Sequence, residues 1–563
     1  MSSFLSYFRD GQFTPKVITV LQDGYRLSDF KTDFLAGLTV AIVALPLAMA
    51  LAIASGASPD KGLLTAVVAG VLISLLGGSR VQIGGPTGAF VVVVYAIIAD
   101  HGYDGLVLAT LLAGVILIMA GYARLGQVIR FIPHSVITGF TAGIAVIIAT
   151  SQVKDFLGLQ IQNVPSDFIL KWAAYGKALP TVDAATALMG IASVALILGL
   201  RRFAPRLPGY LLAVVFGVCL VYFFHAPVDT IGSRFPDLPT GIPVPGMPDF
   251  SFAKVKEMMP SAFIIAFLAG IEALLSAVVA DGMTGYRHRP NQELVGQGVA
   301  NVASALFGGL PATGAIARTA TNIKSGGKTP VAGVLHGVFV LLFMLYAMDL
   351  VRFIPMAALA AVLFIVAWGM SEVRHFRHIL SLRNSDSGVL VLTFLLTVLV
   401  DLTVAIAVGV TLASLLFMVQ MSRSVQMGTK ADPELVKEGE EEDQRDDLPP
   451  GVEVFRIAGP VFFGVASDLI DTLRGMGQMP RVLIVRMRLV PFLDASGVHA
   501  IADVIDQCTA AGTHVVLSAL QEQPGTIVKK SGLDKNPMVH VRADYDAALE
   551  YAATPVASVE VKT

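Results

Sequence analysis

Residues Phe307 to Thr321 read FGGLPATGAIARTAT. A turn broken by glycine and proline leads into a short apolar segment, and that segment carries one arginine, Arg318. Such a segment is too short to cross a bilayer, which takes about 20 apolar residues. A charge inside a membrane is costly, so an arginine at that depth points to a site. Leu76 to Val91, LGGSRVQIGGPTGAFV, repeats the plan: a Gly-Gly pair, a proline, then Thr-Gly-Ala (Thr87 to Ala89, matched by Thr313 to Ala315). Two interrupted hydrophobic segments at corresponding places in two halves of a chain predict the binding site of a transporter.

Composition agrees. With 55% apolar residues and 15% charged, and a mean hydropathy of +0.71, the chain is too apolar for a soluble protein. Its repeated long apolar runs make it a multi-pass membrane protein. A net charge of -2 says nothing about partners, and nothing suggests nucleic acid. The two cysteines, Cys219 and Cys508, exclude a disulfide framework and have no metal-ligand company. No removable signal peptide is evident before the first span. The sequence has no nucleophile–base pair, no metal spacing and no GxxxxGK[ST] phosphate loop, so neither an enzyme nor an ATP-driven pump is expected, and no cofactor.

Residues 1–33 read as a cytoplasmic N-terminal arm. Spans are expected near 34–55, 62–78, a short 87–99, 104–122, 131–150, 183–201 and 209–224. After a Pro-rich loop, a second set lies near 260–281, 293–308, a short 313–324, 331–348, 356–371, 388–402 and 403–420. Pro46 removes a backbone donor and should bend or break the first span. FLAG at Phe34 to Gly37 returns at Phe267 to Gly270, and Phe-Ile-Pro at Phe131 to Pro133 returns at Phe353 to Pro355. With the paired Thr-Gly-Ala segments these matches keep one order, so the repeat is taken as real. Each repeat holds seven spans, and an odd number inserts the second copy upside down: fourteen spans as a 7+7 inverted repeat, with spans 3 and 10 as half-helices. With a cytoplasmic N-terminus, the inside connections hold thirteen Lys/Arg, whereas the short outside ones hold only Lys61 and Arg352. The transmembrane domain thus runs over 34–423, an acidic linker over 424–451, and a soluble α/β domain over 452–555. In the last, VEVFRIAG, RVLIVRM and HVVLSAL read as strands, with helices near 467–476, 497–511 and 542–552.

LPLAMALAIASG (Leu45 to Gly56), GPTGAF (Gly85 to Phe90), EALLSAVVADGMTG (Glu272 to Gly285) and GGLPATGAIARTATN (Gly308 to Asn322) resemble the SulP (sulfate permease) anion-transporter family over roughly residues 30 to 553. FLDASG (Phe492 to Gly497) resembles the signature of a STAS domain. Glu272 to Ala317 looks similar to the proton-coupled C4-dicarboxylate branch. The resemblance implies a core domain (spans 1–4 and 8–11) moving against a gate domain (spans 5–7 and 12–14). It also implies a homodimer in the inner (plasma) membrane, and substrate held between the facing N-termini of half-helices 3 and 10.

Those ends carry unsatisfied N–H groups and about half a positive charge each, an anion site made from backbone. Gly88, Ala89, Gly314 and Ala315 are expected to keep the entrance open, Thr87 and Thr313 to add hydroxyl donors, and Phe90 to close over the ligand. Ile316 and Leu45 complete the expected lining. Close helix packing through small residues is the alternative for the glycines. Arg318 can fork onto a carboxylate or sulfate; snorkelling or a structural pairing with Glu272 is its alternative. Glu272 lies a dozen residues into the eighth span and is the expected proton carrier, with sodium as rival coupling ion held by Glu272 and Ser276. At about 8 Å and an effective dielectric of about 20, each charge pair there is worth on the order of 2 kcal/mol. An anion and a proton on Glu272 would then favour one another, as linkage requires. The expected function is secondary active transport of a small inorganic or organic oxyanion, of the sulfate or C4-dicarboxylate class, by proton symport. Sodium-coupled sulfate or bicarbonate transport, an uncoupled channel and a signalling membrane protein stay open. Ser496, in the cytoplasmic STAS domain, matches the residue phosphorylated in soluble anti-sigma antagonists. Regulation there, or simply a turn into a helix, are its two readings, beside docking of a cytosolic partner.

Overall fold

The computed structural model describes residues 12–127, 133–161, 164–165, 167–205, 207–236, 243–400, 402–429, 448–465 and 479–554. Phe131 and Ile132 of the Phe-Ile-Pro repeat, Arg130, Arg206, Asp401, most of the acidic linker and the helix expected near 467–476 lie outside the described residues. The chain divides into two compact units, Met1–Thr411 and Leu412–Thr563.

The first unit is helical. A short α1 (Lys16–Gln22) precedes α2 (Leu27–Ala54), α3 (Pro59–Leu76) and strand β1 (Gly84–Gly85). Then come α4 (Phe90–Tyr122), α5 (His134–Leu157), α6 (Phe168–Ala178), α7 (Ala184–Phe203) and α8 (Gly209–Phe224). The second half runs α9 (Phe252–Thr284), α10 (Pro290–Leu306), β2 (Thr313–Gly314), α11 (Ile316–Lys324) and α12 (Pro330–Tyr346). It ends with α13 (Met356–Met370), a short amphipathic α14 (Val373–Ser381), α15 (Ser385–Leu399) and α16 (Leu402–Arg423), whose residues from Leu412 on belong to the second unit. Among the described residues, eight helices are long and apolar enough to cross a membrane, and three shorter apolar ones accompany them. Large apolar side chains stay exposed around the outside, Phe223 at 68% and Phe224 at 76%. Faces that apolar suit lipid, not water.

Three departures from the sequence expectation are physical. Helix α2 starts seven residues earlier than expected and runs through Pro46 without a break. Pro46 is buried among neighbouring helices, where membrane helices tolerate the lost hydrogen bond. The expected spans 87–99 and 104–122 form one element, α4, split by Gly102 in the left-handed region (φ 71°). The half-helices start three residues later than expected, at Phe90 and Ile316: Gly88 and Ala89 form a turn into the first, with Ala89 already near helical dihedrals, whereas Thr313 to Ala315 are extended around β2. Helices α6 and α14 were not foreseen.

Helix α4 packs on α9 and α10, α3 on α10 and α12, and α2 on α12. Separately, α5 packs on α13 and α15, and α7 on α8 and α13. These contacts make two helix groups, which also touch one another through α2 on α8 and α13.

The second unit holds a five-stranded sheet in the order β3 (Gln426–Thr429), β4 (Val452–Ala458), β5 (Val482–Leu489), β6 (His514–Ser518), β7 (Val539–Arg542). Only the β3–β4 pairing is antiparallel. Helices α17 (Ala495–Ala510), α18 (Glu522–Ser531) and α19 (Tyr545–Ala553) accompany it. The three central strands are near-continuously apolar, as strands covered on both faces must be. Strand β3 falls inside the stretch read from sequence as linker, and β7 and α18 were also missed.

Candidate functional site

Strands β1 and β2 pair antiparallel, Gly84 opposite Gly314 and Gly85 opposite Thr313. Each strand feeds a helix, so α4 and α11 leave the pair in opposite directions with their N-terminal ends beside one another. The first N–H groups of a helix have no intrahelical acceptor and carry the positive end of its dipole. Ala315, expected to keep the entrance open, donates its own N–H to the Ile83 carbonyl (2.8 Å) and extends the sheet. The free end of α11 is therefore made by the next residues, Ile316, Ala317 and Arg318, and all three line a cavity of about 420 Å³.

Thr87, Gly88, Gly314 and Ala315 line the same cavity, as does Glu272 of α9. The opposite wall comes from the other helix group: Thr141 of α5, Tyr210 of α8, and Ile365 and Met370 of α13. The two threonines are not equivalent. Thr87 donates its hydroxyl to Glu272 Oε2 at 2.7 Å, joining the turn before α4 to α9. Thr313 is fully buried and donates to the Ala269 carbonyl at 2.8 Å, away from the cavity. Its expected role as a ligand donor is corrected to a strut between β2 and α9.

Arg318 is 2% exposed. One guanidinium nitrogen donates to the Gly84 carbonyl (3.4 Å) and the other to the Pro86 carbonyl, while Nε has no partner. The arginine of the second repeat thus braces the turn before the half-helix of the first. A buried guanidinium needs such acceptors, and its planar fork suits two carbonyls. Gly85, with φ +145°, is what permits the approach: a Cβ there would meet Nη1 at 2.4 Å. Gly88 and Gly314 also serve packing. A Cβ on Gly88 would press on Met370 Sδ at 2.7 Å, and one on Gly314 would collide with the Gln82 side chain.

Besides Thr313, four expected residues lie off the cavity wall. Ala89 and Phe90 are buried in the apolar core, so Phe90 does not close over the cavity in this conformation. Ser276 is fully buried, 3.3 Å from the Thr319 hydroxyl, and ties α9 to α11. Leu45 joins the core; Val43, Leu47 and Leu51 of the same helix face the cavity instead. That is a four-residue repeat, and Leu45 falls half a turn away from it. The helical period around Pro46 carried this signal. Arg201, Tyr210, Met370 and Glu372 also line the cavity and were missed. Arg201 and Glu372 sit beside span ends, where a charge reads simply as a loop residue.

In the second unit Ser496 is exposed in the first turn of α17. Asp494 caps that helix, accepting from the Gly497 N–H (2.7 Å) and the Phe463 N–H (3.2 Å).

The sequence matches the Sulfate permease family over residues 30–393 and the STAS domain over residues 447–548. It is 41% identical to a putative sulfate transporter, YvdB, of Bacillus subtilis over 91% of this chain and 95% of that protein. It is 32% identical to the bicarbonate transporter BicA of a Picosynechococcus species, over 85% of this chain and 87% of that one. Among solved structures, the murine anion transporter Slc26a9 in its inward-facing state shares the fold, with a TM-score of 0.85 at 19% identity over 96% of this chain and 94% of that one. The transmembrane domain of a cyanobacterial BicA gives 0.61 at 33% identity, over 68% of this chain and 98% of that one. With this match and this architecture, the chain belongs to the sulfate permease family: a helical membrane transporter, not an enzyme, carrying a C-terminal STAS domain.

Proposed function

We propose that the protein is a secondary active transporter that moves a small oxyanion across the membrane in symport with protons, by rocking the α2–α4/α9–α12 group against the α5–α8/α13–α16 group. One observation carries this reading: the ends of both interrupted helices, Arg318 and Glu272 border a single cavity whose other wall belongs to the other helix group. Residues bordering that cavity, Gly88, Gly314, Ala315, Ile316, Arg318 and Thr87, are the proposed substrate contacts. Backbone N–H groups and a fixed guanidinium replace the anion's water at no cost of reorganisation. Glu272 is the proposed proton carrier. Its carboxylate shares the cavity with the anion, so a bound anion favours its protonated form and protonation favours the anion.

A cavity of about 420 Å³ holds many water volumes of about 30 Å³ each, so size admits sulfate, bicarbonate and a C4-dicarboxylate alike. The relatives named for sulfate and bicarbonate favour inorganic anions as the first to assay. We further propose fourteen crossings with inverted halves, a cytoplasmic N-terminus and STAS domain, a homodimer in the plasma membrane, and Ser496 as a regulatory site reached by a cytosolic partner. The test is uptake of labelled anion into proteoliposomes under an imposed pH gradient. Concentrative uptake driven by the gradient is expected, and Glu272→Gln should abolish the pH dependence. Passive flux alone would make the protein a channel, binding without flux a receptor. Uptake driven only by a sodium gradient would transfer the coupling role to sodium.

A further inference from the structure

A second chemical cluster sits on the rim of the same cavity and is used by nothing above. His134 opens α5, and Glu372 and His375 flank the start of α14. One ligand atom from each of the three, two imidazole nitrogens and a carboxylate oxygen, lies within 4.8 Å of the others. Glu372 Oε2 and His375 Nδ1 are 3.2 Å apart, and the two imidazole rings stand edge-on with centroids 6.1 Å apart. Two neutral imidazoles and one carboxylate form a ligand set that zinc takes in three-ligand sites, with a fourth position left for water. In a tetrahedral site with bonds of about 2.0 Å the ligand atoms stand roughly 3.3 Å apart. One pair already has that spacing, and rotation of exposed side chains closes the rest.

The backbone supports the arrangement. Glu372 is in the left-handed region (φ 41°, ψ 43°), a conformation costly for a residue with a Cβ. Strain of that kind persists where the surroundings hold it, and it clusters at functional sites. Here it marks the break between α13 and α14, with the Glu372 carboxylate 3.2 Å from the ring of His375 three residues on. Arg374 and Arg377 of α14 oppose a dication, but both are exposed and screened by solvent.

We propose that His134, Glu372 and His375 form a binding site for a divalent transition metal, with Zn²⁺ the best match, and that the bound ion restrains transport. The ion would clip α5 to the α13–α14 turn, two elements of one cavity wall. It would also draw off the negative charge of Glu372, which lines the cavity. The effect on transport rests on the function proposed above; metal binding does not.

The probe is Zn²⁺ itself, competed against a chromophoric chelator with the tag-free full chain in detergent micelles. One site per chain is expected, weakened at least tenfold by His134→Ala and by His375→Ala. Equal affinity and stoichiometry in the wild type and the His134→Ala/His375→Ala double variant would overturn the proposal, as would no binding to the wild type. Zinc X-ray absorption on the wild-type complex needs no variant: two imidazoles in the shell support the site, and a shell with none refutes it. In proteoliposomes, Zn²⁺ should slow wild-type uptake and leave the double variant unaffected. Inhibition that persists in the double variant would remove the restraining role, whereas binding without any anion uptake would sink the transport reading and leave the metal site standing.

Discussion

At Arg318 the guanidinium spends two of its nitrogens on the carbonyls of Gly84 and Pro86, so its charge is placed by backbone of the other repeat. Lysine keeps the charge but cannot span two carbonyls. Arg318→Lys should therefore weaken anion binding by about tenfold, some 1.4 kcal/mol, with the chain still folded; calorimetric titration of the purified protein checks it, and unchanged affinity would contradict the bracing role. Gly85→Ala should act in the same direction, since its Cβ would displace Nη1. Arg318, Thr87 and Glu272 stand out in sequence as charge and hydroxyl inside apolar runs, and with Gly88 and Ile316 they border one cavity. In sequence Thr87 and Thr313 read as a symmetric pair. The structure separates them, one on Glu272 and one on Ala269, because a repeat in sequence does not oblige the two copies to meet identical neighbours.

At the scale of elements, short helices betray themselves by their breaks. Gly102, with φ 71°, ends the first half-helix, and the Gly-Pro turns precede both. Pairing of β1 with β2 was invisible, since two residues per strand leave no alternation to read. Amphipathic α14 was hidden likewise: nine residues beside a predicted span end look like a loop. In the STAS domain, the signature DASG works as a helix start through Asp494. Asp494→Ala leaves the N–H groups of Gly497 and Phe463 without that acceptor and should cost about 1 kcal/mol. Faster hydrogen exchange across α17 in the full chain would register it, with the sheet strands little changed.

At the scale of the whole molecule, two units of different chemistry share one chain, and they should answer acid differently. In the STAS unit, burial pushes His514 below the usual histidine range, helped by Arg481. Burial likewise lowers His540, with His514 and Arg542 adding to it. The rings stack 5.6 Å apart, and the Tyr551 hydroxyl lies 2.5 Å from His540 Nε2. Both histidines are thus neutral in the fold and take up protons more readily when unfolded. Their stabilisation is fully present above the unfolded pKa of about 6.5 and is lost as pH falls from there toward the lower folded values. Exchange protection of β6 and β7 should drop between pH 7.5 and 5.5; protection that holds or rises would refute the assignment.

The sequence alone determined the membrane class, the duplicated halves, the two interrupted segments and the separate α/β tail. Each of these is written in local composition and period, which need no partner to be read. Tertiary structure decided which amides remain for a ligand, which threonine faces the cavity, that Val43 and Leu47 line it in place of Leu45, and that Arg201 and Glu372, charges at two span ends, border it. Those depend on contacts between residues up to hundreds of positions apart, and distance along the chain carries no record of them.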